Sequence, residues 1–101
     1  MPHYKLHITP QAVSDILDLR NYIINECYAE STAANYIDGI YGIIESLQRV
    51  GGALSCSQHK SLIARYGYGV KTIPYKKVVV IFKIILDTVV VYRVMAGALI
   101  I

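Results

Sequence analysis

Between His3 and Ile8 polar and apolar residues alternate, with Tyr4, Leu6 and Ile8 on one face and His3, Lys5 and His7 on the other. That period of two predicts a half-buried strand. At Thr9-Pro10 the period changes. Threonine can accept an orphan amide ahead of a helix, and proline is tolerated in the first turn because its missing donor had no intrahelical partner anyway. Ala12, Ile16, Leu19, Ile23 and Cys27 then recur every three or four positions, flanked by Val13, Leu17 and Ile24. This predicts an amphipathic helix of about four turns.

Ser31-Thr32 reads as the cap of a second helix, whose buried stripe is Ala33, Ile37, Ile40, Ile44 and Leu47, with Ala34, Tyr41 and Val50 beside it. Gly39 and Gly42 lie inside it at a cost of roughly 1 kcal/mol each relative to alanine, so either close packing requires them or the helix is locally weak. Gly51-Gly52 ends the pattern, and the short connection between the helices makes them an antiparallel hairpin over about residues 10–50.

A polar stretch from Ser55 to Lys60 follows. Leu62–Tyr66, Gly67-Tyr68-Gly69 and Val70–Ile73 read as a strand, a glycine turn and a strand, which Pro74 interrupts. Val78–Leu86 and Val89–Val94 are β-branched runs separated by Asp87-Thr88, apolar enough for central strands. The order strand, helix, helix, strands predicts an α+β fold. In it a helical hairpin packs on one side of a small, mainly antiparallel sheet built from about 62–94 plus strand 3–8.

Composition adds limits. At 101 residues the chain is one domain, and at 17% charged it is no disordered polyelectrolyte. The net charge of +3 hides an asymmetry. Residues 1–50 hold three cations against six carboxylates, whereas 51–101 hold Lys60, Arg65, Lys71, Lys76, Lys77, Lys83 and Arg93 against Asp87 alone, a local balance of +6. An anionic partner belongs to that second half. Cys27 and Cys56 match neither a zinc pattern nor a disulfide framework, so two free thiols in a reducing cytosol are expected, with no metal and no cofactor. Lys83, Asp87 and Arg93 interrupt the apolar run 78–94, and the first residues show no basic-then-apolar leader. A soluble cytoplasmic protein without a membrane partner is the expectation.

Taken in order, Tyr4-Lys5-Leu6-His7-Ile8-Thr9-Pro10-Gln11-Ala12, Asp15-Ile16 through Tyr22-Ile23, Ala33-Ala34-Asn35-Tyr36-Ile37 through Ile43-Ile44-Glu45-Ser46-Leu47, and Gly69-Val70-Lys71 through Val91-Tyr92-Arg93-Val94 cover nearly the whole chain. This ordered set resembles the RelE/ParE superfamily of toxins from type II toxin–antitoxin modules, and the long helical hairpin looks more like its ParE and plasmid-stabilisation branch. The resemblance implies a growth-inhibiting toxin neutralised by a cognate antitoxin. RelE-like members cut mRNA on the ribosome; ParE-like members poison DNA gyrase. Lys71 stands where the family commonly has Arg, Val78 and Phe82 where it often has Tyr, Ala96 where many members carry His, and Leu99 where many carry a terminal Arg. Those losses tip the expectation toward a ParE-like action on gyrase. The alternatives are RelE-like mRNA cleavage, a non-toxic member that only binds antitoxin, and a nucleic-acid-binding domain without catalysis.

Metal-independent RNA cleavage needs a base, an acid and cations around the phosphate. Arg65, Lys71 and Arg93 can supply cations, and His59, Lys60 or Tyr75 can handle protons. The plainer reading of Lys71, Lys76, Lys77 and Lys83 is a solvated sheet face. Arg65 and Arg93 stand in apolar runs read as strands, where a guanidinium suits either phosphate or an acidic antitoxin residue. Tyr66, Tyr68 and Tyr75, interleaved with Arg65, Lys71 and Lys76, suit base stacking or a protein interface equally. The target- or antitoxin-binding set is therefore Arg65, Tyr68, Lys71, Lys76, Lys77 and Arg93 together with Leu99, Ile100 and Ile101 of the apolar tail Met95–Ile101. That tail either docks on its own core, joins a partner's sheet or lies under an antitoxin segment, and exposed apolar surface also leaves a homo-oligomer open.

Overall fold

A computed structural model describes residues 3–27 and 30–97. The elements run β1 (Lys5–Ile8), α1 (Pro10–Cys27), α2 (Glu30–Val50), a 3-10 turn (Gly51–Ala53), α3 (Lys60–Tyr66), β2 (Lys71–Tyr75), β3 (Val78–Ile85) and β4 (Thr88–Ala96). The side chain of Cys27 and residues Leu99, Ile100 and Ile101 lie outside the description, so the expectations placed on them have no counterpart here.

Thr9 starts α1 as its chemistry demands. Its Oγ1 accepts the Ala12 N–H at 3.2 Å and its hydroxyl donates to the Tyr92 carbonyl at 3.0 Å. Its own N–H donates to the Val91 carbonyl at 3.1 Å. One residue thus caps the helix and fastens it to the last strand. The second helix begins at Glu30, one residue ahead of the expected Ser31-Thr32 cap, which lies inside its first turn.

The sheet order is β1-β4-β3-β2. β2, β3 and β4 are antiparallel neighbours, while β1 pairs in parallel with the first half of β4, Lys5 opposite Thr88 and Ile8 opposite Val91. Ala12 and Ile16 of α1 and Ile40, Ile44 and Leu47 of α2 pack on Val78, Val80, Phe82, Val89, Val91 and Val94. The spacing of 89, 91 and 94 departs from strict alternation because β4 carries a bulge. Ile81 faces Arg93 but Phe82 faces Val91, which leaves Tyr92 as an extra residue.

Two expectations are corrected. Leu62–Tyr66 is not a strand but lies in α3: Leu62, Ile63 and Tyr66, spaced as one helical face, join Val70 and Ile81 in a second small cluster. Five residues are too few for period two and period 3.6 to separate. Because α3 lies on the sheet surface opposite the hairpin, helices cover both faces and not one. Pro74 does not interrupt the sheet either. It sits in β2, an edge strand where its missing donor leaves no ladder bond unmade. The last hairpin also shifts slightly: its loop is Leu86–Asp87, and β4 continues to Ala96, so the start of the apolar tail is strand.

Candidate functional site

A carboxylate that accepts three hydrogen bonds joins α1 to β4. Among the described residues the outer edge of β4 has no strand partner beyond Val91, because β1 ends at Ile8. Asp15 on α1 takes the place of one. Its Oδ2 accepts the Val94 N–H at 3.0 Å, and its two oxygens accept Arg93 Nε at 2.7 Å and Nη2 at 3.0 Å. The hydrogen bond to Asp15, with the carboxylate charge behind it, raises the Arg93 pKa further above its already high ordinary value. Tyr66 of α3 contributes in the same direction. Tyr66 also stacks on the bulge residue Tyr92, ring centroids 4.9 Å apart. Arg93 is thus a half-buried tie between hairpin and sheet.

The other candidate cations divide into tied and untied. Lys71 donates its Nζ hydrogens to the carbonyls of Gly51 at 3.2 Å and Leu54 at 2.7 Å, which closes the turn after α2. Lys83 donates to the Tyr66 carbonyl at 3.2 Å at the end of α3. The Gly67-Tyr68-Gly69 loop is a collar on this lysine. Both glycines have positive φ, and a Cβ on them would lie 3.3 Å from Lys83 Nζ and 3.4 Å from Cε respectively. The collar throws Tyr68 outward, 85% exposed. Lys76 holds its ammonium 5.2 Å from the Tyr36 ring and 5.5 Å from the Tyr75 ring, and those rings meet edge to face at 5.4 Å.

Lys60, Arg65 and Lys77 are exposed, and among the described residues they donate to no other side chain. They do not converge. Lys60 and Arg65 stand five positions apart on α3, and Lys77 lies in the β2–β3 turn. His59, ahead of α3, shares a 2.9 Å hydrogen bond with Ser61, and Tyr75 is packed against Tyr36. An open depression of about 300 Å³ lies beside α3, bounded by Cys56, Ser57, Gln58, Ile63, Tyr68 and Gly69. Among the described residues no group of three His, Cys, Asp or Glu can hold a metal ion, and no helix is long and apolar enough to cross a membrane.

Reasoning from sequence passed over Asp15. Its signal was present: Asp15 stands three residues after Ala12 and four before Leu19, so it flanks the apolar stripe of α1, where a carboxylate requires a partner, and Arg93 in an apolar strand requires one too. A measurement separates structural from functional lysines here. Lys71→Ala should cost about 1–2 kcal/mol in chemical denaturation, because two carbonyls lose a charged donor. A loss of activity at unchanged stability would instead mark Lys71 as a target contact.

No family model matches the chain and no curated protein matches its sequence. Solved structures do. A chain of the chromosomal ParDE TA system from P. aeruginosa is similar at a TM-score of 0.73 and 16% identity, over 93% of this chain and 96% of that one. A chain of the toxin–antitoxin complex RelBE2 from Mycobacterium tuberculosis is similar at a TM-score of 0.65 and 18% identity, over 97% of this chain and 95% of that one. The chain therefore shares its α+β fold with both of these structures along nearly its whole length.

Proposed function

We propose that this chain is the toxin of a type II toxin–antitoxin pair. It inhibits growth in the cytoplasm, a cognate antitoxin neutralises it, and its action is ParE-like, on DNA gyrase. The observation that carries the reading is a fold shared along nearly the whole of both chains with a component of a ParDE system. The disposition of polar groups favours binding over cleavage. Lys71, Lys83 and Arg93 are engaged by carbonyls and a carboxylate, and His59, Tyr75 and the untied cations surround no common point. RelE-like cleavage of ribosome-bound mRNA is the second reading, and the likeness to RelBE2 speaks for it.

Induction of the chain should arrest growth, and the purified protein should block supercoiling by gyrase while ribosome-bound mRNA stays intact. Ribosome-dependent cleavage that disappears in Arg65→Ala, where the lost side chain is exposed, would establish the second reading instead. Absence of any arrest would leave a module that only binds antitoxin.

A further inference from the structure

The hydrogen-bond ladder fixes which way the backbone of β4 turns near its end. Ala96 stands opposite Val78, and the next residue, Gly97, donates its N–H to the Lys77 carbonyl at 3.0 Å. Val78 and Ala96 are therefore a non-hydrogen-bonded pair, and the N–H and C=O of Ala96 point away from β3. Val94, two residues back, has the same orientation, and its outward N–H is the one bonded to Asp15. Among the described residues β1 reaches neither position. From 94 to 97 the chain reads Val-Met-Ala-Gly, with neither a charge nor a proline to blunt an edge.

The other edges of the sheet are blunted by their own sequence. Ahead of the short strand β1, Tyr4 donates its N–H to the Gln48 carbonyl at 2.9 Å and accepts the Gln48 side-chain amide at 3.0 Å. On the β2 side Ser57 donates its N–H to the Val70 carbonyl at 2.7 Å, Cys56 bridges to Lys71, and Pro74 has no N–H to offer. The end of β4 differs, and it is complementary to itself. Paired antiparallel about Met95, Val94 of one copy would face Ala96 of another. Each such pair would exchange both its N–H···O bonds, and the arrangement would close on a two-fold axis. The Ala96 carbonyl of the second copy would then need the place that Asp15 Oδ2 holds, 3.0 Å from the Val94 nitrogen.

We propose that the Val94–Ala96 edge is a latent interface for a second copy of this chain, and that Asp15 keeps it closed by occupying the Val94 N–H. The carboxylate is held ready for this. Arg93 donates to both of its oxygens, at 2.7 and 3.0 Å, and its side chain is only 10% exposed. The guard comes from a helix and not from the strand, so the edge itself stays free of charge and proline. The inference goes beyond the toxin reading and does not depend on it.

The test compares Asp15→Ala/Arg93→Met with Asp15→Asn/Arg93→Met by sedimentation equilibrium. Both variants lack the ion pair, but only the asparagine keeps an oxygen for the Val94 N–H. The alanine variant should show an about twofold greater mass, while the asparagine variant and the unaltered chain stay monomeric. Adding Ala96→Pro to the alanine variant should restore the monomer, because it removes an outward N–H that β3 does not use. An alanine variant that is monomeric with a native circular dichroism spectrum overturns the guard. So does a dimer of the asparagine variant or of the unaltered chain, and so does any association that survives Ala96→Pro. If the alanine variant does not fold, amide hydrogen exchange of the unaltered chain decides. The Ala96 amide should exchange about tenfold faster than the Val94 amide or more, and equal protection of the two overturns the open edge and the proposal with it.

Discussion

Asp15→Ala should lower the unfolding free energy by about 3 kcal/mol, and with it the thermal midpoint by on the order of 15 °C. The Asp15 and Arg93 side chains are only 10% and 26% exposed, so removing the carboxylate strands a desolvated guanidinium. It also leaves the Val94 N–H without its acceptor on an edge where β1 no longer reaches. Two losses therefore add. Combining Asp15→Ala with Arg93→Met should recover part of the deficit, because no unpaired charge remains beside the core. If the double variant is no more stable than Asp15→Ala, the cost lies in the Val94 amide and not in the ion pair. Linkage fixes the pH behaviour. A pKa raised in the folded state contributes stability that is complete below the unfolded value and is lost only as pH climbs through the folded one. The Arg93 contribution therefore persists across the whole neutral range.

The second large effect concerns the two glycines inside α2, which should respond with opposite signs. A Cβ on Gly39 would clash with the Tyr75 hydroxyl oxygen and fall 2.5 Å from the ring carbon that carries it. That ring cannot swing away freely, because Tyr36 packs on it edge to face and Lys76 lies over it. Gly39→Ala should cost about 2 kcal/mol, the usual range for an overpacked site. A Cβ on Gly42 would meet nothing within 4 Å, so Gly42→Ala should stabilise by about 0.5–1 kcal/mol through helix propensity alone. Urea unfolding of the two variants reads the difference directly. A Gly39→Ala protein as stable as Gly42→Ala would mean that Tyr75 does not lie against α2 as described.

That pair resolves the choice the sequence left open between close packing and local weakness. Gly39 is required by an aromatic ring, whereas Gly42 is simply tolerated on an exposed face. The required packing is against β2 and not against the other helix, so no pattern within α2 could have revealed it. Elements with many turns or long β-branched runs were legible because each repeats its signal: α1, α2, β3 and β4 all stand where periodicity put them, give or take two residues. The stretch at Leu62–Tyr66 repeats nothing, and α3 was missed. The polar groups were hardest. Lys71, Lys83 and Arg93 look alike as cations in a basic half, yet each is bound to an acceptor supplied from elsewhere in the chain. Their partners are three carbonyls and a carboxylate that only the completed fold brings near. The bulge at Tyr92, which turns Arg93 and Val94 to their places, leaves no mark in a run of apolar residues.

The parallel pairing of β1 with β4 also governs when this molecule can exist. The first strand has no sheet to join until the last strand in the sequence has been made, and Thr9 finds the Val91 and Tyr92 carbonyls only then. Contacts of such long sequence separation are slow to close. On the ribosome, α1 and α2 can form early, but the sheet surface meant to cover their apolar stripes emerges last. A growing chain therefore passes through a period with its helical hairpin uncovered and its edge strand unpaired.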